Sequence, residues 1–113
     1  MLTDLRLQNF RSYHDMSFEF SPEVNIVVGP NGSGKTNLLE AVLVLARGSS
    51  YRASDADLVQ FKREWTRLDS HLTDGTVRSF KLQPDKNPSK SYEIDGRIFK
   101  RLTLEHSLPV VLF

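Results

Sequence analysis

Hydrophobic and polar residues alternate near the start of the chain. Apolar side chains occupy every second position over residues 5–8 and again over residues 16–20. A period of two is typical of strands that bury one face. We therefore predict two antiparallel strands, joined by a loop over residues 9–15.

The segment that follows has a different pattern. Residues 24–28, VNIVV, are nearly all apolar, which is typical of a strand covered on both faces. They lead into the glycine-rich run GPNGSGKT at residues 29–36, where neither a strand nor a helix continues. From Lys35 to about Arg47 apolar residues recur at spacings of three and four, and Gly48 is suited to end a helix. The sequence thus predicts a strand, a loop and a largely buried helix in succession.

The rest of the chain favours β-structure after one more helix. That helix is predicted over residues 54–63, packing through Leu58, Val59 and Phe61. Trp65 is expected to pack in the core or against the sheet, and stacking on a nucleic-acid base is the less favoured alternative. Strands and two-residue hairpin turns are predicted at residues 65–72 (strand), 74–75 (turn), 76–82 (strand), 91–94 (strand) and 95–96 (turn).

The last apolar segment, residues 109–113, predicts a buried strand. A central strand at a chain terminus needs neighbours to pair with its backbone. We therefore expect residues 1–113 to form a single lobe of a larger domain.

Composition sets broad limits on the function. The net charge of +1 lacks the strong basic excess of many nucleic-acid-binding proteins, and without cysteine neither disulfides nor thiolate metal sites form. No apolar run approaches the roughly 20 residues of a membrane-spanning helix, so we predict a cytoplasmic protein. Between Arg78 and Arg101 seven basic residues meet three acidic ones. This stretch is either a DNA-facing patch or, as we favour, a solvated sheet face.

The run GPNGSGKT matches the phosphate-binding pattern GxxxxGK[ST] in full and lies between the predicted strand and helix, as that pattern requires. Glycines there let backbone amides turn inward around phosphate oxygens, and the helix adds its positive end. Lys35 is suited to the β- and γ-phosphates of ATP, and the Thr36 hydroxyl to Mg²⁺. The alternative is a glycine-rich hairpin with a chance match. The predicted binding residues are Gly29, Pro30, Asn31, Gly32, Ser33, Gly34, Lys35, Thr36 and Asn37.

Hydrolysis requires a further carboxylate after an apolar strand, to hold Mg²⁺, and a group that positions water. Neither is visible in the sequence. Glu40, Asp55 and Asp57 are expected to be solvated or to cap helices. We therefore expect no complete catalytic set, and hence no hydrolysis, from this chain alone.

Three segments resemble the start of the bacterial RecF family, whose members are ATPases of the ABC and SMC class. They are residues 29–41, GPNGSGKTNLLEA, together with Asn9-Phe10-Arg11 and residues 50–54, SYRAS. The resemblance covers essentially the whole chain and implies an α/β P-loop fold: the first lobe of an ATPase head, with an antiparallel β subdomain. It also implies that Arg11 contacts the nucleotide, whereas the residue types alone favour a strand connection with Phe10 in the core and Arg11 in water.

The resemblance further implies a protein of gap repair. Such a protein dimerises on ATP, binds DNA at junctions of single and double strands, and works with a RecR-like mediator. The family's signature motif and metal-binding carboxylates would lie beyond Phe113. Two other readings remain: a different P-loop NTPase, although NKxD and DxxG motifs are missing, and a non-enzymatic module that binds DNA or protein.

Overall fold

A computed structural model describes residues 2–20, 35–48 and 55–108. Six antiparallel strands form one sheet in the order β2-β1-β3-β4-β5-β6, and the first helix lies against β1 and β4. The predicted strands at residues 24–28 and 109–113 lie outside the described residues. The elements are β1 (Asp4–Phe10), β2 (Tyr13–Glu19), α1 (Lys35–Arg47), α2 (Asp55–Leu58), β3 (Thr66–His71), β4 (Val77–Leu82), β5 (Lys90–Ile94), β6 (Arg97–Phe99) and a 3₁₀ turn at Leu104–His106.

The period-two pattern sorts side chains between the two faces of the sheet. Leu5 and Leu7 are fully buried on the face that α1 covers, while Arg6 between them points to the opposite face and is exposed. The cross-strand pair of Leu7 is Leu68, which is also buried. Side chains at alternate positions therefore form one core, whose other buried members include Phe10, Leu38, Ala41, Val44, Leu45, Leu58, Phe80, Leu82 and Tyr92.

The connection between β1 and β2 is shorter than predicted. Phe10 pairs with Tyr13, so only Arg11 and Ser12 form the turn, and the predicted loop over residues 9–15 is wrong. Arg11 adopts the left-handed conformation, with φ at 51°. Such a conformation at the first turn position lets two strands reverse direction within two residues.

The helix over residues 35–47 is confirmed, and its end is well defined. Gly48 has φ at 90° and its amide donates to the Val44 carbonyl over 2.8 Å, which is the glycine cap expected at a helix C-terminus. None of the described helices is both long enough and apolar enough to cross a membrane.

The second helix ends earlier than predicted: of the described residues in the predicted range, Asp55–Leu58 are helical. Val59 instead forms a β-bridge with Phe10, and the Gln60 amide donates to the Asn9 carbonyl over 2.7 Å. Pairing with the end of β1 thus competes successfully with the local helical pattern. Leu58 is buried as expected, but Phe61 is 85% exposed and does not pack.

Of the two predicted two-residue hairpin turns, one is confirmed and the other is one residue longer. Asp95 and Gly96 form the predicted two-residue turn, with φ at 48° and 85°. Before β4, however, Leu72 pairs with Thr76, so the loop has three residues, with Gly75 at φ 89°. Three-residue loops with a left-handed glycine at their end are the next most common hairpin type.

Arg78 is the clearest departure from the predicted solvated charge pattern. It is only 4% exposed and lies on the core face of β4, below the C-terminal end of α1. Its guanidinium donates to the carbonyls of Leu45 and Ala46, each over 3.2 Å, and to that of His106. Burial lowers the pKa of Arg78, yet the positive group faces the negative end of the helix, which favours it.

A second contact from the sheet holds the same helix end. The Tyr92 hydroxyl on β5 donates to the Gly48 carbonyl over 2.5 Å. A Cβ added at Gly48 would lie 3.1 Å from that hydroxyl. The end of α1 is therefore fixed by side chains of two strands.

We predict that Gly48→Ala destabilises the fold more than Gly96→Ala. Both glycines have positive φ, which costs alanine about 1–2 kcal/mol, but only Gly48 has a neighbour, Tyr92, that a methyl group would displace. Urea unfolding of the two variants measures the difference, which we expect to be on the order of 1 kcal/mol. Equal losses would show that the Tyr92 contact adjusts without consequence.

Candidate nucleotide-binding site

The helical half of the predicted phosphate site lies within the described structure. Helix α1 begins at Lys35, so the backbone of Lys35, Thr36 and Asn37 forms its first turn directly after the glycine run. The side chains of these three residues, and the predicted binding residues Gly29, Pro30, Asn31, Gly32, Ser33 and Gly34, lie outside the described part of the chain.

Packing against the sheet fixes the direction of α1. Leu38, Ala41 and Leu45 recur at spacings of three and four and are at most 4% exposed. A helix of 13 residues is about 20 Å long, and its N-terminal amides carry partial positive charge that attracts anions. The buried stripe therefore holds the start of α1 in a fixed place relative to β1.

A buried ion pair joins this helix to the turn between β1 and β2. The Arg11 guanidinium donates to both carboxylate oxygens of Glu40, over 2.7 and 3.1 Å, and the Glu40 side chain is fully buried. Bidentate pairs of this kind combine charge with a fixed orientation. The expectation that Glu40 is solvated or caps a helix is wrong, because Glu40 faces the sheet side where Arg11 reaches it.

The ion pair lies close to the predicted phosphate site. Glu40 follows Thr36 by four residues, so the two positions share one face of α1, about 6 Å apart along the axis. Arg11 is 25% exposed at its side chain and reaches the helix through Glu40. The structure thus places Arg11 one helical turn behind the position of Thr36, which agrees with an Arg11 near the nucleotide without testing the contact.

The residues beside Arg11 have separate roles. Phe10 is fully buried in the core, as its apolar side chain suggests. Asn9 is 4% exposed, with φ at 51°, and its Oδ1 lies 3.1 Å from His14 Nδ1. Asparagine tolerates this conformation better than most residues. The Asn-Phe-Arg segment therefore anchors β1 at its end and exposes part of Arg11.

The remaining carboxylates near α1 form no metal site in the described structure. Asp57 is exposed on α2, and the side chain of Asp55 lies outside the described part. Among the described residues, no three His, Cys, Asp or Glu side chains come together as metal ligands.

Two grooves on the opposite face of the sheet were not anticipated. They have volumes of about 410 and 530 Å³, and both are lined by Gln8 and Trp65. Trp65 is part-buried and lies outside the core cluster, so of the two expected positions the core is excluded, while packing against the sheet agrees with its partial burial. The segment FKREW at residues 61–65, which mixes aromatic and basic residues, was the available signal.

A family model described as an AAA domain matches residues 4–106 of the chain. The chain belongs to this AAA domain family. The match spans α1 and all six strands of the sheet, from β1 to β6.

Curated relatives of this AAA domain chain include RecF proteins. The DNA replication and repair protein RecF of Staphylococcus epidermidis is 41% identical over 73 residues, which are 64% of this chain and 20% of the relative. RecF of Lachnoclostridium phytofermentans is 36% identical over 103 residues, or 89% of this chain and 29% of the relative. The resemblance to the RecF family is confirmed, and the chain spans less than a third of these relatives.

Solved structures confirm the predicted fold class of a P-loop ATPase head lobe. The recombination mediator protein RecF in complex with ATP has a TM-score of 0.79 at 30% identity, covering 88% of this chain and 28% of the other. The SMC head domain from Thermotoga maritima has a TM-score of 0.60 at 23% identity, covering 87% and 38%. The SMC head shares the fold alone.

We predict strong coupling between Arg11 and Glu40 in a double-mutant cycle. Arg11→Met and Glu40→Gln each remove the bidentate contact, so the double variant should lose much less stability than the sum of the two single losses. We expect a coupling energy on the order of 2 kcal/mol, because one partner is fully buried.

The exposed pair Arg6–Asp15, whose side chains are 51% and 45% exposed, is the matched control. Solvent screens it, so its coupling should be clearly smaller. Chemical unfolding measures both cycles. Similar coupling energies in the two pairs would show that burial does not strengthen the interaction between Arg11 and Glu40.

Proposed function

We propose that this chain is the ATP-binding N-terminal lobe, residues 1–113, of a RecF-like DNA repair protein. The observation that carries the proposal is the sequence GPNGSGKT placed directly before α1, a helix held against the sheet by a buried face and a buried ion pair. Relatives whose structures contain ATP or an ATP analogue have the same fold, with TM-scores of 0.79 and 0.80.

The proposed binding chemistry uses few side chains. Backbone amides of residues 29–34 and the start of α1 surround the phosphates, and Lys35 adds a positive charge at the β- and γ-phosphates. The Thr36 hydroxyl is the proposed Mg²⁺ ligand, and Mg²⁺ neutralises charge on the phosphate oxygens when bound. One hydroxyl ligand from the protein is enough for Mg²⁺, because this ion keeps several bound waters and takes its other ligands from the phosphates.

Arg11 is proposed to support the same site. Glu40 holds its guanidinium one turn behind Thr36, with a quarter of the side chain still exposed. From this position the partly exposed Arg11 side chain is proposed to donate to a phosphate oxygen while Glu40 already fixes its orientation. Fixed cations lose little freedom on binding an anion.

Turnover is proposed to need groups outside this chain. Among the described carboxylates near α1, Glu40 is bound by Arg11 and Asp57 is exposed on α2. ATP-dependent dimerisation, binding at junctions of single- and double-stranded DNA, a RecR-like mediator partner and a cytoplasmic location are part of the same proposal. Their support is the similarity to RecF proteins named for DNA replication and repair and for the RecFOR pathway.

We predict that Lys35→Ala weakens ATP binding by about 100-fold or more while the fold persists, because a charge-assisted contact to phosphate is lost. Calorimetric titration with MgATP measures the affinity, and circular dichroism checks the fold. Lys100→Ala is the matched control, since Lys100 is exposed beside β6 and should leave affinity unchanged. An unchanged affinity in the Lys35 variant would overturn the proposed phosphate site.

We also predict that Thr36→Val removes the benefit of Mg²⁺. Valine has nearly the same shape as threonine but no hydroxyl, so the variant should bind ATP equally with and without the metal. Titrations in Mg²⁺ and in a chelator measure this ratio for both proteins. A Mg²⁺ effect of wild-type size in the variant would show that Thr36 is not a metal ligand.

A further inference from the structure

The face of the sheet that α1 leaves uncovered carries an aromatic side chain among polar ones. Trp65 directly precedes β3 and shares a face with Arg67, because positions two apart in an extended chain point the same way. Arg67 lies between Gln8 on β1 and Lys81 on β4 in the strand register. Trp65 and Gln83 each lie one residue beyond the last β3–β4 pair, Thr66 and Leu82, and both line the larger groove.

The two grooves meet at Trp65 and Gln8, and we call the combined surface the Trp65 groove. Its basic side chains are Arg6, Lys62, Arg63, Arg67 and Lys81. Phe61, the neighbour of Lys62 in the sequence, is 85% exposed but does not line either groove. The surface therefore combines one indole ring with amides and cations.

Charge on this surface is only partly compensated within the chain. Arg6 pairs with Asp15 at 2.9 Å and Arg67 with Asp69 at 3.0 Å. In the described part of the chain, Lys62, Arg63 and Lys81 have no carboxylate within ion-pair distance. Glu64 is the third acid that lines the two grooves, and Glu93 adds a negative charge near Arg67. An anionic ligand would thus find an excess of positive charge around one tryptophan.

We propose that the Trp65 groove binds single-stranded nucleic acid, with Trp65 stacking on an unpaired base. Stacking on an aromatic ring needs a base whose face is accessible, which a duplex does not offer. The cations lie where they neutralise phosphates, and the Gln8 and Gln83 amides can donate to and accept from base edges. The inference deepens the proposed function and rests on its DNA-related part, since it assigns a surface and a strand form.

Trp65 itself provides the direct test, because the chain has a single tryptophan. We expect an oligothymidine of about a dozen nucleotides to quench its emission, with affinity that falls steeply as salt rises. A matched duplex should quench much less. Trp65→Ala should weaken binding by about 5- to 100-fold, as measured by anisotropy of a labelled oligonucleotide, and Trp65→Phe by less.

Lys81→Glu and Lys100→Glu form the matched charge pair for the same titration. Both lysines are exposed, but only Lys81 lines the groove, so only its reversal should weaken oligonucleotide binding and quenching. These two variants keep Trp65, so they test binding at the groove even if Trp65→Ala fails to fold. Binding that changes neither with Trp65 nor with Lys81, or that is as tight and as strongly quenched with duplex, would overturn the proposal.

Lys35→Ala separates this proposal from the proposed ATP site. The titration is run without nucleotide, so the Lys35 variant should bind the oligonucleotide like the wild type while failing to bind ATP. Quenching of Trp65 by ATP alone, lost with Lys35→Ala, would assign the groove to the base of the nucleotide and overturn a strand-binding role. Normal ATP binding with no oligonucleotide quenching would overturn the groove proposal only.

Discussion

The fixed position of one helix is the constraint on which the rest of this structure depends. Helix α1 presents its N-terminus directly after the glycine run, and that end is useful only if it stays in place. Apolar packing supplies the contact area but little orientation, because dispersion and hydrophobic forces are not directional. Orientation comes from two arginines. The part-buried Arg11 donates to the Glu40 carboxylate in the first half of the helix, and the buried Arg78 donates to the carbonyls of Leu45 and Ala46 at its end.

The antiparallel sheet serves both as the base for α1 and as a separate surface. Alternation along each strand sends Leu5, Leu7 and Leu68 to the helix and sends Arg6 and Arg67 to the other face. Substitutions on one face therefore need not disturb the other. This separation lets the proposed phosphate site and the Trp65 groove lie on opposite faces of the same sheet.

Local signals predicted the elements whose partners are near in sequence, and failed where distant residues decide. The helix Lys35–Arg47 and the turn at Asp95 and Gly96 follow from spacing and turn residues alone. The helix predicted over residues 54–63 failed because Phe10, nearly fifty positions away, pairs with Val59. The burial of two charged residues was the other feature that the sequence did not predict. Glu40 and Arg78 are residue types that are usually solvated, and only the fold shows which groups they contact.

The ion pair between Arg11 and Glu40 bears on the orientation of α1 as well as on stability. Replacing a buried ion pair by apolar residues of similar size is often neutral or stabilising, so stability alone does not account for Arg11 and Glu40. An apolar pair would fill the space yet leave the helix free to rotate slightly about its axis. Two parallel hydrogen bonds, over 2.7 and 3.1 Å, restrict the orientation of α1 relative to the β1–β2 turn. The geometry therefore favours placement as the contribution of the pair, since it ties the helix at Glu40 to the β1–β2 turn.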